Sequence, residues 1–387
     1  MRRLVYAEKS FAALRLLTNA YYLAAGVGLI IPSEPVWSRM RVPVILSLNT
    51  DLMYDMITLN HGSGGLAAGK LIREMFAQRF GMDEPLTDSA LIEAHNKMLA
   101  FTTDSYVVDP VFFPGGNIGK LAVCGTINDL CVAGAIPEYL SAAFIIEEGF
   151  PVDELRQIVD SMSEESRKAG VRIVTGDTKV VERGKCDRIF ITTSGTGIIR
   201  PGFEHAGTAE KVMEGDCLLI NGPLGNHSIA VLGARKELSF TSPVISDCAS
   251  LKDLISDIIG ASANVHFMRD LTRGGLASVL NELVQMIPSG IVVDEKSVPV
   301  DAPVAGLCEM FGFDPLYLAN EGKLLVVVPE EDCEKVLKVM KGNPLGIGSC
   351  LIGRISGETG NRVVLNTFTG GRKILDLPSG TMLPRIC

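Results

Sequence analysis

Hydrophobic and polar positions follow two different periods along most of the chain. From residue 57 onwards, the apolar runs at 101–108, 139–146 and 188–198 have the pattern of β-strands. Between them, 118–134 and 152–169 have the pattern of helices, the first largely apolar and the second amphipathic. Strands and helices that alternate in this way predict an α/β or α+β fold.

The pattern changes between residues 200 and 215, and this change divides the chain into two halves. A new series of elements begins there with a strand at 217–220 and continues with a helix over 276–287. A length of 387 residues also favours two medium domains over one large core. We predict an N-terminal domain over 57–205, a C-terminal domain over 206–375 and a mobile tail over 376–387.

The first 56 residues differ from the rest of the chain. An apolar stretch at 11–31 follows two arginines, but Arg15 interrupts it and no clear cleavage site follows. An export signal or membrane anchor is one interpretation. The alternative, which we favour, is an upstream start codon, with the natural chain beginning near Met53 or Met56. Residues 1–56 are then an extension outside the predicted fold.

Composition and charge exclude several classes of protein. Hydrophobic residues make up 47% of the chain and charged residues 21%, which is typical of a globular protein. The formal net charge of −9 provides no positive field, so neither nucleic acid nor a membrane surface is expected as a partner. The nine cysteines include no Cys-x-x-Cys pair, which argues against a disulfide framework or zinc knuckle and favours a cytoplasmic protein.

Two glycine-rich loops lead into predicted helices. The first precedes a helix over 66–80, and the second, Gly274–Gly275, precedes the helix over 276–287. Backbone N–H groups at helix N-termini attract anions, and Arg269 and Arg273 carry donors that suit phosphate. Plain turns and surface arginines would explain the same residues, and the chain has neither a P-loop nor a Rossmann fingerprint. The first loop consists of His61, Gly62, Ser63, Gly64 and Gly65.

Three aspartates are candidate ligands of a magnesium–phosphate site. Asp129 lies within an apolar helical stretch, where an uncompensated carboxylate is unfavourable. Asp104 and Asp270 lie in short turns flanked by glycine or threonine. Taken singly, each aspartate could cap a helix or turn. Taken together, they favour a site in which carboxylates and phosphate oxygens hold Mg²⁺.

The chain ends in a cysteine. A terminal thiol on a tail of about ten residues can move over tens of ångströms, as the carrier of an activated group must. By chance alone a terminal cysteine would mean nothing. The other cysteines are mostly flanked by apolar residues, which is typical of core positions.

The polar segments, in their order along the chain, resemble a known family. The run from Thr102 to Gly116, the segments 118–125 and 144–149, Asn320-Glu-Gly-Lys323 and the terminal Leu383-Pro-Arg-Ile-Cys387 are similar to the HypE family of hydrogenase maturation proteins. This family is part of the PurM-like, or aminoimidazole-ribonucleotide-synthetase-like, ATP-binding superfamily. The resemblance covers 57–387.

The resemblance implies a two-domain PurM-like fold and a reaction. It implies that the N-terminal sheet pairs across a homodimer and that ATP and Mg²⁺ bind in the groove between subunits and domains. In the family, HypF carbamoylates the terminal cysteine, and ATP-dependent dehydration turns the thiocarboxamide into a thiocyanate. The cyanide then passes to iron on the HypC–HypD complex. Cys387 would carry the group.

The resemblance also implies roles for individual residues. Asp104, Asp129 and Asp270 are similar to magnesium ligands, and Glu321 and Lys179 to polar residues that act on the group carried by Cys387. One departure, Gly225-Asn-His-Ser228 in place of Gly-Asp-His-Gly, removes a carboxylate and puts a role of that loop in metal or base chemistry in doubt. The residues assigned to ATP are His61, Gly62, Ser63, Gly64, Gly65, Asp104, Lys120, Asn128, Asp177, Arg273 and Gly274.

Two alternatives stay open at this point. The first is another ATP-using member of the superfamily, such as an aminoimidazole ribonucleotide synthetase, thiamine-monophosphate kinase or selenophosphate synthetase. The last of these should carry a reactive cysteine near its N-terminal glycine loop, whereas the first cysteine here is Cys124. The second alternative is a non-catalytic carrier that binds ATP and docks partners without turnover.

Overall fold

The computed structural model describes residues 65–77, 87–94, 97–235, 242–262, 264–377, 383 and 385–387. Residues 1–56, which the sequence analysis interprets as an extension, lie outside these ranges. The loop residues His61 to Gly64 also lie outside them.

The described strands form a five-stranded sheet, a seven-stranded sheet and a two-stranded ribbon. The strands are β1 (Ala90–Ala94), β2 (Lys97–Tyr106), β3 (Phe112–Phe113), β4 (Gly116–Asn117), β5 (Ala135–Glu147), β6 (Arg172–Val181), β7 (Ile189–Ile199), β8 (Cys217–Ile220), β9 (Phe267–Asp270), β10 (Gly290–Asp294), β11 (Leu324–Val328), β12 (Cys350–Ser356), β13 (Val363–Asn366) and β14 (Arg372–Ile374).

Along the chain, helices occur between the strands that form the two sheets. The α-helices are α1 (Leu66–Leu71), α2 (Ile118–Val132), α3 (Val152–Ala169), α4 (Asn226–Gly233), α5 (Lys252–Ala261), α6 (Gly275–Met286), α7 (Ala302–Phe311) and α8 (Glu330–Gly342). Single 3-10 turns occur at Glu295–Ser297, Pro315–Tyr317, Pro344–Gly346 and Gly357–Thr359. Within the described ranges, no helix is both long enough and apolar enough to cross a membrane.

The five-stranded sheet has the order β1-β2-β7-β5-β6. All neighbouring strands are antiparallel except β5 and β6, which are parallel. Helix α2 contacts strands of this sheet on one side and reaches β9 and α5 of the other half. It is therefore buried almost all round, which explains why its sequence is apolar without a polar face. The opposite, outer face of the sheet carries no described helix.

The seven-stranded sheet has the order β14-β13-β10-β12-β8-β11-β9. Its central strands β8 and β11 are completely buried, and α6 packs with them in one hydrophobic core. A second core joins the inner face of the five-stranded sheet, α2 and the apolar side of α5. Strand β9 at the sheet edge ends at Asp270, so this edge faces α2 and the first sheet.

The mixed α/β fold that the sequence predicts is confirmed, with differences in detail. The structure contains helices α4, α5 and α8, which the sequence analysis did not identify. The predicted helix over 66–80 is α-helical only as far as Leu71 and continues as a π-helical turn over Ile72–Ala77. The strand predicted at 139–146 is longer, because β5 begins at Ala135 and has a bulge between Pro137 and Tyr139.

Candidate functional site

Three carboxylates meet where α2, β9 and the segment before β1 come together. One carboxylate oxygen from each of Asp88, Asp129 and Asp270 lies within 4.8 Å of the others. Asp129 comes from the last turns of α2, and Asp270 is the last residue of β9. Asp88 comes from the segment that leads into β1. Like charges at this spacing repel each other, so the cluster needs a cation or protons to be stable.

The electrostatics of this cluster suit a bound cation. Burial raises the pKa of Asp129 and of Asp270 well above the usual range, and neighbouring carboxylates raise both further. Thr102 Oγ1 donates a hydrogen bond to Asp129 Oδ2 at 2.8 Å, but the buried Asp270 Oδ2 has no hydrogen-bond partner among the described residues. Hard oxygen ligands with an unsatisfied carboxylate oxygen fit Mg²⁺.

Asp104 lies beside this cluster but is not one of its three closest members. Its Oδ2 accepts a hydrogen bond from the Tyr106 hydroxyl at 3.0 Å, and its charge raises the pKa of Asp88, Asp129 and Asp270. The sequence analysis grouped Asp104 with Asp129 and Asp270 and did not identify Asp88. A recognisable signal existed, because Asp88 stands between Thr87 and Ser89 directly before a strand.

Arg269 compensates part of the negative charge of the cluster. Its Nε lies 2.7 Å from Asp88 Oδ2, and its Nη1 lies 3.0 Å from Glu282 Oε2. Burial raises the pKa of Asp88, whereas Arg269 lowers it. The arginine that the sequence analysis considered for phosphate is thus engaged with carboxylates.

The C-terminal thiol lies near charged groups that include Asp104. Burial raises the pKa of the Cys387 thiol to about 11, while the Arg273 guanidinium lowers it and Glu321 and Asp104 raise it. The Cys387 group in turn is the main influence that raises the pKa of Arg273. Glu321 is 3% exposed, and its Oε1 has no hydrogen-bond partner in the part of the chain that the structure describes. Burial raises the pKa of Glu321 well above its usual range, and the nearby Asp270 raises it further.

The last three residues are held by hydrogen bonds to each of their carbonyl groups. Val107 N donates to Cys387 O at 3.1 Å, and Asp109 N donates to Arg385 O at 3.1 Å. The buried His227 bonds Ile386 O through Nε2 at 2.9 Å, and the Ile386 side chain is 4% exposed within the core. Residues 385–387 of the tail, which the sequence predicts to be mobile, are docked in this structure. The ability of the tail to swing out stays a prediction.

The Arg385 side chain explains why an arginine precedes the last two residues. Its Nε donates to Val107 O at 2.9 Å, and its Nη1 contacts Asp187. The guanidinium also lies 5.9 Å from the centre of the Phe190 ring, a cation–π arrangement. The side chains of Arg385 and Ile386 thus dock the tail, and the thiol of Cys387 is left facing the charged groups.

Asp177 and Lys179 are not next to Cys387 within one chain. Both are exposed on the edge strand β6, where Lys179 Nζ lies 2.7 Å from Asp177 Oδ2. Lys179 is in register with Ile145, whose side chain is exposed on the outer face. Three strand spacings, about 14 Å, separate β6 from the strand that carries Asp104. The roles of Lys179 at the thiol and of Asp177 at ATP therefore stay predictions, and both would involve a second subunit.

The other residues assigned to ATP are engaged within the chain. Lys120 Nζ donates to Gly115 O at 3.1 Å, and the Asn128 amide bonds the backbone of Ala249 and Leu251. Gly274 begins α6 with φ 80°, a left-handed conformation that suits glycine. Of the first glycine loop, the structure describes Gly65, the residue that begins α1.

Comparisons with known proteins agree with this architecture. The family description AIR synthase related protein, N-terminal domain matches residues 86–199, and AIR synthase related protein, C-terminal domain matches residues 213–366. The carbamoyl dehydratase HypE of Rhodobacter capsulatus is 52% identical over 338 residues, which cover 86% of this chain and 98% of that protein.

Solved structures give the same result. The chain is 46% identical to a protein in the crystal structure of a HypE–HypF complex, with a TM-score of 0.75 and coverage of 80% of this chain and 99% of that one. It is 43% identical to the hydrogenase maturation protein HypE in complex with ATP, with a TM-score of 0.71 and coverage of 85% and 100%.

Proposed function

Because the chain belongs to the HypE family of carbamoyl dehydratases, we propose that it acts in hydrogenase maturation by dehydrating a carbamoyl group on its own C-terminal cysteine. The product is a thiocyanate on Cys387, whose cyanide becomes a ligand of iron. The rest of this proposal concerns the residues that carry out the dehydration and the partners that supply and accept the group.

One observation carries the proposal: the Cys387 thiol faces Arg273 and Glu321 beside the carboxylate cluster. A group attached to the thiol would lie near a cation and near a carboxyl group of raised pKa. A passive docking tail would need neither. The arrangement favours chemistry on the terminal sulfur over the carrier alternative.

The carboxylate cluster would serve the nucleotide. The residues suited to hold Mg²⁺ are Asp88, Asp129 and Asp270, with Asp104 beside them. When bound, Mg²⁺ would neutralise phosphate charge and orient the nucleotide for transfer. ATP is a substrate of this reaction, consistent with the HypE relative whose structure is a complex with ATP.

The dehydration needs a leaving group and a proton acceptor. The amide oxygen of the S-carbamoyl group attacks the γ-phosphorus of ATP, and the phosphorus–oxygen bond to ADP breaks. The nitrogen then loses its two protons, the carbon–oxygen bond breaks, and phosphate departs with that oxygen as C≡N forms. One oxygen and two hydrogens are removed, which are the elements of water.

Arg273 and Glu321 suit two parts of this sequence. Arg273 supplies a positive charge beside the oxygen that becomes phosphorylated. Glu321 has a raised proton affinity because it is buried near other carboxylates, and such a carboxylate is a good acceptor for an N–H proton. Its Oε1, which has no partner in the described structure, is free to take that proton.

We further propose that two chains pair through the outer face of the five-stranded sheet. Five large side chains on this face, on β1, β2 and β5, are 42–47% exposed: Ile92, Phe101, Ile136, Tyr139 and Ile145. Contiguous exposed apolar surface of this kind is typical of an interface. Lys179 and Asp177 lie on the same sheet, so a dimer is the arrangement in which they could meet the other chain's substrate.

The partners follow from the reaction. HypF would supply the carbamoyl group, as the complex of a related HypE with HypF supports. The HypC–HypD complex would accept the cyanide. Both steps require Cys387 to leave its docked position, because a partner protein has to reach the sulfur.

The test is mass spectrometry of the C-terminal peptide after incubation with HypF, carbamoyl phosphate and Mg-ATP. We expect the peptide to gain one carbamoyl group and then to lose one water only when ATP is present. Glu321→Gln should gain the carbamoyl group and keep it. Cys387→Ala is the control that should remain unmodified.

Two results would contradict the proposal. If Cys387 is never carbamoylated, the chain is not a partner of HypF and another ATP-dependent synthetase or kinase becomes the better account. If the carbamoyl group is gained but never loses water with ATP, the chain is a carrier rather than a dehydratase.

A further inference from the structure

Two side chains bind the backbone of the docked tail, one from helix α4 and one from the segment that directly follows this helix. His227, in the first turn of α4, contacts Ile386 O, and Arg235, two residues after the helix, donates from Nη2 to Arg385 O at 3.0 Å. Both act on main-chain carbonyls, so they hold the tail whatever group Cys387 carries.

His227 is fixed for this role by its other contacts. A carbonyl oxygen can only accept, so Nε2 must carry the hydrogen that bonds Ile386 O. Nδ1 then accepts from the Ser246 hydroxyl at 2.8 Å, and the Phe113 ring packs edge-on against the imidazole at 5.3 Å. The imidazole is fully buried, and burial lowers its pKa, so it is held as the neutral Nε2–H form.

Arg235 joins the tail to the segment after β2, which also contacts the tail. Its Nε donates to Asp109 O at 2.9 Å while its Nη2 donates to Arg385 O. Asp109 N also donates to Arg385 O. The Arg235 guanidinium therefore bridges the tail and the segment that contains Asp109.

The docked tail carries backbone strain that these contacts must outweigh. Arg385 has φ 54°, in the left-handed region that disfavours residues other than glycine. Release of the tail would relieve this strain. The tail stays closed only while the hydrogen bonds to its carbonyls and the burial of Ile386 exceed the strain and the lost chain entropy.

We propose that His227 and Arg235 form a latch that sets how often the C-terminal tail leaves the site. They are positioning residues, which act on Cys387 through the tail backbone. Closed, the latch presents the thiol to Arg273 and Glu321. Open, it exposes the thiol to a partner protein. The latch matters for catalysis because, under the proposed function, Cys387 must alternate between these two positions.

The test measures release of the tail directly and needs neither ATP nor a partner protein. The full chain is treated with iodoacetamide, and alkylation of each cysteine is followed by peptide mass spectrometry. Arg235→Met removes the hydrogen bond from the charged guanidinium to Arg385 O, so the tail should be open more often. We expect the alkylation rate of Cys387 to rise about tenfold in this variant. His227→Ala should have an effect in the same direction.

Two controls distinguish tail release from general loosening. Arg200→Met removes another partly buried arginine, one that bonds Ala135 O and Ser256 far along the chain from the tail, and should leave the Cys387 rate unchanged. Cys350, also partly exposed, should react at the wild-type rate in every variant.

Two outcomes would overturn the latch. The first is an unchanged Cys387 rate in Arg235→Met and His227→Ala. The second is an equal increase at Cys350 and Cys387, which would mean that the whole fold has loosened. Failure of the latch leaves the dehydration test intact, because carbamoylation and loss of water are measured separately on the same peptide.

Discussion

Val107 donates its backbone N–H to an oxygen of the C-terminal carboxylate of Cys387, and the nitrogen and oxygen are 3.1 Å apart. Val107 directly follows Tyr106, whose hydroxyl is hydrogen-bonded to Asp104. The end of β2 thus positions both the docked thiol and the carboxylate beside the proposed magnesium site. The acceptor of the γ-phosphoryl group and the nucleotide would be aligned by one strand rather than by two independent loops.

The hydroxyl of Tyr106 should therefore matter for metal binding. In Tyr106→Phe, Asp104 loses its donor at 3.0 Å, and we expect the Mg²⁺ concentration for half-maximal dehydration to rise severalfold. The free energy of unfolding should fall by about 1–2 kcal/mol. Tyr317→Phe is the matched control, because the Tyr317 hydroxyl bonds Asp376 O at 2.8 Å away from the site. Equal Mg²⁺ requirements in all three proteins would refute this role.

The carboxylate cluster makes a prediction about pH in the absence of Mg²⁺. Burial and neighbouring charges raise the pKa of Asp129 above its ordinary value of 3.8 in the folded state. The folded chain then holds a proton that the unfolded chain loses, so this residue's contribution to stability is complete below pH 3.8 and is lost as pH rises through the raised pKa.

Asp129→Asn should remove that pH dependence. In EDTA at pH 7.5 the variant should be more stable than the wild type, because it buries no titratable group at this position. At pH 4 the difference should be small. Saturating Mg²⁺ should stabilise the wild type and leave the variant unchanged. Denaturant titrations at both pH values measure this, and a variant less stable than the wild type in EDTA at pH 7.5 would contradict it.

Much of the fold is predictable from the sequence because local periodicity determines it. Helix α3 has a clear polar and apolar side and begins and ends where its pattern does, at Val152–Ala169. Helix α8 begins with three acidic residues, and the sequence analysis did not identify it. Its buried positions, Cys333, Val336 and Met340, do have helical spacing, so a closer count of the pattern would have found it.

The site is less predictable because it depends on contacts between distant segments. Asp129 and Asp270 come together because α2 reaches the edge strand β9, which no local pattern encodes. Asp88 completes the cluster although it stands in an ordinary turn-like sequence. The separation of Lys179 from Cys387 depends on the strand order β2-β7-β5-β6, which places β6 at the sheet edge.

Close packing between α2 and β2 gives a third prediction. A Cβ atom at Gly125 would lie 2.3 Å from the Tyr106 hydroxyl oxygen, so Gly125→Ala must displace the residue that holds Asp104. We expect a loss of about 1–3 kcal/mol in the free energy of unfolding. Gly260→Ala in α5 is the control: its Cβ would meet no atom within 4 Å, so the helix should gain up to about 1 kcal/mol. Similar unfolding midpoints for the two variants would disprove the steric argument.

The last prediction concerns the proposed pairing of two chains. Tyr139 lies on β5 opposite Thr196 of β7, and Phe101 of β2 is opposite Thr196 from the other side. Tyr139 and Phe101 therefore occupy one row across the outer face. A charge placed in this row would have to be buried without a partner in a dimer, which is strongly unfavourable.

We expect Tyr139→Glu to be monomeric by light scattering at concentrations where the wild type is dimeric, with unchanged circular dichroism. Val152→Glu is the matched control, since Val152 is 69% exposed at the start of α3, on the helical side of the sheet, and it should remain dimeric. If Lys179 acts across this interface, the monomer should also lose dehydration while it can still be carbamoylated. A dimeric Tyr139→Glu protein would show that the outer face is not the interface, and Lys179 would then have no route to the thiol.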